Sequence, residues 1–232
     1  FFISNSGYYI FNPSYQDIQI KTSKFSKILW LLILTIAFNG VIIITRTVLI
    51  NKGIIPLLFF KDTGLIASFW FYPLIVLIIC PIVEELGFRL FFIPNRINIA
   101  ISISFLLYFL SCLIFSFSLF EINIYLTIPP VSFLIFLLIT LKSSTIKHLN
   151  FLIIKYFKII FYLSAIFYTY VHLTNFWIEK GHIIWLPLIF LPYLMLGLVL
   201  GYIRVIFGIK YSIIFHFVYN TFPFLLSLFF LG

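Results

Sequence analysis

Residues Ile97–Phe120 read INIAISISFLLYFLSCLIFSFSLF, 24 residues without a charged side chain. A helix needs about 20 mostly apolar residues to cross the hydrocarbon of a bilayer, and this run is long enough. A transmembrane barrel would instead be a series of short segments alternating apolar and polar. Neither this run nor Leu65–Pro81 has that form. The reading is a membrane-spanning helix.

The rest of the chain repeats the pattern. Apolar runs of similar length occur at Ile28–Leu49, Leu65–Arg89, Ile124–Leu141, Ile159–Trp177, Ile183–Ile203 and Ser212–Leu231. The sequence therefore predicts an all-α, polytopic integral membrane bundle of about seven to eight transmembrane helices. Residues 1–26 read as an N-terminal tail or interfacial segment and 27–232 as one transmembrane domain. Composition agrees, with 63% hydrophobic and only 9% charged residues. A soluble domain carries about 25% charged residues, and disordered chains are polar and poor in aromatics, so both classes are excluded. Cys80 and Cys112 lie inside apolar runs and read as packing residues.

A net charge of +9 would suggest nucleic acid in a soluble protein. In a membrane protein, lysine and arginine instead flank spans on the cytoplasmic side, so no nucleic-acid partner is expected. With seven spans, one side takes Lys21, Lys24, Lys27, Arg89, Arg96, Lys142, Lys147, Lys155, Lys158, Arg204 and Lys210; the other takes Arg46, Lys52, Lys61 and Lys180. Eleven against four puts the tail in the cytoplasm.

Polar groups within apolar spans are functional candidates, because charge is costly there. They are Asn39, Arg46, the run Glu84-Glu85-Leu86-Gly87-Phe88-Arg89, His172 with Asn175, and His216 with Asn220. Residues four apart share a helix face, so Glu85 and Arg89 can pair. Glu84 is turned by about 100° from Glu85, free to face another helix. Gly87 admits a close neighbour. His216 and Asn220 also share a face, and an imidazole beside a carboxamide could serve an oxyanion. Counted along unbroken helices from Arg96 and Lys158, Glu84 and His172 lie at similar depths, about 18 and 21 Å. His216, six residues past Lys210, would lie at only about 9 Å, which requires its helix to tilt or to start deep. His148 and His182 read as exposed loop residues, and Tyr168 as a packing residue one turn before His172. The same Glu and His residues would also suit a transporter or proton relay.

These residues resemble the CPBP family of intramembrane proteases, also called the CAAX-processing or Abi family. Its EExxxR motif is matched by Glu84–Arg89, its FxxxH motif by Tyr168-Thr169-Tyr170-Val171-His172 with Tyr in place of Phe, and its HxxxN motif by His216-Phe217-Val218-Tyr219-Asn220. Gly197–Tyr202 with Arg204 is similar to the glycine-rich helix before the third motif. The resemblance spans Phe69 to Asn220, about two thirds of the chain, and three motifs in order are specific where one would be weak.

The resemblance implies an intramembrane endopeptidase. Glu84 would be the general base that activates water, assisted by His172, with His216 and Asn220 at the oxyanion and Glu85 and Arg89 in support. The family is described both as metalloproteases and as metal-free glutamate enzymes. No metal is firmly expected; if one is used it would be zinc, on Glu84, His172 and His216. The expected partners are membrane lipid and a peptide or protein substrate, the expected cavity lies near the cytoplasmic half of the bilayer, and the expected location is a bacterial cytoplasmic membrane. A non-catalytic scaffold or immunity protein retaining the motifs is the remaining alternative.

Overall fold

The computed structural model describes residues 12–14, 24–56, 59–60, 71–115, 124–177 and 180–231, and these are almost entirely helical. Helix α1 runs Lys24–Asn51. A second segment comprises α2 (Phe71–Leu74), a π-helical turn (Ile75–Ile79) and α3 (Cys80–Phe88), followed by a 3-10 turn at Leu90–Phe92. Then come α4 (Arg96–Phe115), α5 (Ile124–Thr140), α6 (Ser143–Lys155), α7 (Phe157–Leu173), a 3-10 turn at Lys180–Trp185, α8 (Leu186–Ile206) and α9 (Ile209–Leu231). Two short strands, β1 (Phe59–Phe60) and β2 (Phe176–Trp177), pair antiparallel with Phe59 opposite Trp177. The sequence reading had no strands and assigned Phe176–Trp177 to the end of a span.

Among the described residues, three stretches are long and apolar enough to cross a membrane: Phe25–Asn51, Arg96–Ile114 and Ile183–Ile206. A fourth counts only if Pro130–Leu138 and Ser143–Lys155, bent by 111°, form one span. That is fewer than the seven to eight expected: apolar length does not register helix breaks, and the side chains of α5 and α9 are described only in part. The described part of the second expected span passes through the π turn and stops at Phe88. Pro81 has no N–H for the carbonyl four residues back, which favours a wider turn just before it. The fifth ends at Leu173 after 17 residues. Residues 61–70 and 116–123 of the expected spans and loops lie outside the described residues.

Large apolar side chains such as Ile44, Ile114 and Ile184 are exposed on the outside, while Glu84, Glu85, Arg89 and Arg204 are buried inside. A charged interior beneath an apolar exterior is compatible with lipid contact.

Helix α3 ends inside the bundle, where its last carbonyls meet no water and need donors. Ser102 Oγ of α4 donates to Leu86 O at 2.7 Å, and Ser164 Oγ of α7 donates to Phe88 O at 2.5 Å. Arg204 of α8 donates from Nε to Arg89 O and from Nη2 to Leu90 O, both at 3.1 Å. Three helices thus fix the end of α3. Phe88 also stacks on Phe109 of α4 with centroids 4.9 Å apart. Helices α8 and α9 join through Phe207-Gly208, and Gly208 has φ 102, a conformation costly for any residue with a Cβ. This tight turn starts α9 deep: Ser212 is already fully buried.

Gly87 lets α3 lie against α4. A Cβ there would stand 2.7 Å from Phe109 Cε2 and 3.2 Å from Phe105 Cβ. Gly87→Ala should destabilise the fold by about 1–3 kcal/mol through overpacking, read as a lower melting temperature in detergent. An unchanged melting temperature would show that α3 and α4 are not in close contact.

Candidate active site

The two adjacent glutamates of α3 have different surroundings. Glu85 is fully buried, and both of its oxygens are engaged. Arg89 Nη1 approaches Glu85 Oε1 at 2.6 Å, the pairing expected from their spacing. Ser212 Oγ donates to Oε2, and His216 Nδ1 lies 3.2 Å from Oε1. The Arg89 guanidinium also sits over the Tyr168 ring, 4.4 Å from its centroid. A buried carboxylate requires a counter-ion and donors, and Glu85 has them.

Glu84 does not. Its Oε2 is buried with no hydrogen-bond partner among the described residues. Two imidazoles face that oxygen, His172 Nε2 at 3.7 Å and His216 Nε2 at 3.6 Å, both beyond a direct hydrogen bond. The tautomers follow from the other ring nitrogens. His172 Nδ1 faces the Tyr168 carbonyl at 2.9 Å, and His216 Nδ1 faces Glu85. Both partners are acceptors, so in the neutral rings Nδ1 carries the proton and Nε2 a lone pair. Glu84 Oε2 and the two Nε2 atoms are therefore neighbouring acceptors, and the unpartnered Oε2 calls for a donor such as water.

Antiparallel packing produces this meeting. Phe88 O is held by Ser164, while Glu84, one turn earlier on α3, faces His172, two turns later on α7. Along α9, Ser212, His216 and Asn220 meet Glu85, Glu84 and then Val76, again in reverse order. His172 is the penultimate residue of α7, so the site lies towards the end leading to β2, away from Lys158. At 16% side-chain exposure His172 is more open than Glu84 at 5% or His216 at 1%.

Asn220 lies one turn beyond His216, but its Nδ2 donates to Val76 O of the π turn at 3.4 Å. The two side chains thus have different partners rather than forming one donor pair. Tyr168, expected only to pack, places its hydroxyl 3.3 Å from His216 Nε2 and its ring 4.3 Å from that of His172. Ser212 and Tyr193, whose ring lies 4.8 Å from His172, were not singled out in the sequence. Ser212 was discoverable, being one turn before His216 on the same face. Asn39 lies elsewhere, joining α1 to α8 and α9 through Pro192 O at 3.3 Å and Tyr219 Oη at 2.5 Å. Arg46 is half-buried on α1, and Asn175 follows α7 in a turn. His148 is exposed, but on α6 rather than in a loop; the His182 side chain lies outside the description.

Among the described residues, no group of three or more His, Cys, Asp or Glu side chains is arranged to hold a metal ion.

No family model, curated protein or solved structure matches the chain.

The glutamates should respond oppositely to neutralisation. Glu85→Gln strips the counter-ion from buried Arg89 and should destabilise the protein by about 3–5 kcal/mol. Glu84→Gln removes a carboxylate with no lysine or arginine counter-ion of its own and should leave the melting temperature unchanged or higher. Equal losses in thermal unfolding would contradict these assignments.

Proposed function

We propose that the chain is an integral membrane endopeptidase of the CPBP type, with about seven to eight spans, a cytoplasmic N-terminal tail and a bacterial cytoplasmic membrane as its location. The observation that carries this reading is the buried, unpartnered Oε2 of Glu84 facing two imidazole lone pairs. The order and spacing of the three motifs support it.

The chemistry follows from the residues in place. Water entering past His172 gives one hydrogen to Glu84 Oε2 and the other to His172 Nε2. Glu84 removes its proton as the oxygen attacks the peptide carbonyl carbon, and the protonated carboxyl later returns that proton to the departing amine. In the resting arrangement His216 Nε2 is an acceptor, so Asn220 supplies the amide donor for the oxyanion from α9. Helical walls keep this polar pocket apart from hydrocarbon, which offers neither water nor hydrogen bonds. No step is routed through a metal.

The test is cleavage by purified protein in detergent of a pool of quenched-fluorescent hydrophobic peptides, prenylated and unprenylated. Glu84→Gln and His172→Ala should each lower turnover by at least about 10²-fold, while a chelator leaves the parent unaffected. Turnover surviving both substitutions would overturn the site assignment, and loss on chelation would overturn the metal-free mechanism. Proton flux in liposomes without any cleavage would replace the protease with a relay.

A further inference from the structure

A water molecule has two hydrogens, and an attacking water bound to Glu84 Oε2 would have two further acceptors nearby, His172 Nε2 and His216 Nε2, which lie 3.7 and 3.6 Å from that oxygen. Productive attack needs one defined orientation of that water, and a third acceptor allows others. The Tyr168 hydroxyl bears on this excess. It is fully buried and lies 3.3 Å from His216 Nε2, close enough for a weak hydrogen bond. Because Glu85 holds the Nδ1 proton of His216, the hydrogen between phenol and imidazole belongs to the phenol.

We propose that Tyr168 is a positioning residue whose hydroxyl occupies Nε2 of His216, leaving Glu84 and His172 as the two acceptors of the attacking water. The inference rests on the hydrolase reading of this site. Tyr168, His216 and Glu85 then form a chain in which phenol donates to imidazole and imidazole to carboxylate. The far end is anchored by Arg89 and Ser212. In that chain the phenol hydrogen is directed to His216 and the imidazole hydrogen to Glu85. The Tyr168 ring has separate duties, packing edge-on to Phe88 with centroids 5.5 Å apart and lying under Arg89. Its backbone carbonyl, not its hydroxyl, holds His172. Removing only the hydroxyl therefore leaves the ring and backbone contacts in place, and the His216 spectrum separates its two acceptors, His216 and Glu84.

The experiment compares the full chain with Tyr168→Phe, using the same peptide pool and ¹⁵N spectra of histidine-labelled protein, the His216 signals being assigned by their loss in His216→Ala. The Phe variant should melt close to the parent. Its kcat should fall about 10–100-fold, as for other orienting partners of a reacting group. KM should stay within about twofold, since substrate contacts are retained. The Nε2 resonance of His216 should shift as its hydrogen bond is lost. A Phe variant with the parent's kcat would overturn this role alone. The hydroxyl also lies near the Glu84 carboxylate, so an unchanged His216 spectrum would mean that it donates there, and would overturn the role equally. A variant that fails to fold would show that the hydroxyl is structural. A parent with no cleavage at all would overturn the hydrolase reading and this role with it.

Discussion

The arrangement depends on the ion pair between Glu85 and Arg89, buried at 0% and 1% exposure. Placing two charges in such an interior costs several kcal/mol per ion, recovered only when geometry and additional hydrogen bonds are good. Here the additional bonds come from other helices. Ser212 and His216 of α9 reach Glu85, and the Tyr168 ring of α7 lies under Arg89. Satisfying the pair therefore requires α3, α7 and α9 to meet at one level. The same meeting brings His172 and His216 to Glu84, which receives no counter-ion of its own. One glutamate holds the helices together, and the other is left chemically available.

The end of α3 adds a second constraint. A helix terminating in an apolar interior must have its carbonyls capped; Ser102 and Ser164 cap two of α3, and Arg204 holds the next two, Arg89 and Leu90. These bonds set the height of α3 in the bundle and so the height of Glu84. Ser164 lies one turn before Tyr168, so the residue that fixes α3 and the ring beneath Arg89 share one face of α7. Framework and candidate site are built from neighbouring positions on the same elements.

Part of this was legible in the sequence. Local spacing gave the Glu85–Arg89 pair, and the cost of polar groups in apolar spans singled out Glu84, His172 and His216 before any coordinates. The remainder depends on rotations and breaks that spacing does not encode. Whether His216 turns its Nδ1 to Glu85 depends on how α9 is set against α3, 131 residues away. The shortening of α7 reflects Phe176–Trp177 leaving for β2, and apolar residues suit strand and span alike. Ser212 and Ser102 looked like ordinary serines because their partners are backbone carbonyls or a distant carboxylate. The π turn before Pro81 had a visible cause in the proline, although apolar length concealed it.

The account claims that the space bounded by Glu84 and the two imidazoles is a water site. An experimental density map of the protein in a lipid nanodisc, at a resolution that shows ordered solvent, tests this most directly. The account predicts a solvent peak about 2.7–3.2 Å from both Glu84 Oε2 and His172 Nε2, with Tyr168 turned to His216. A dry interior with Glu84 bonded directly to either imidazole, or with His172 turned out to the lipid, would contradict it.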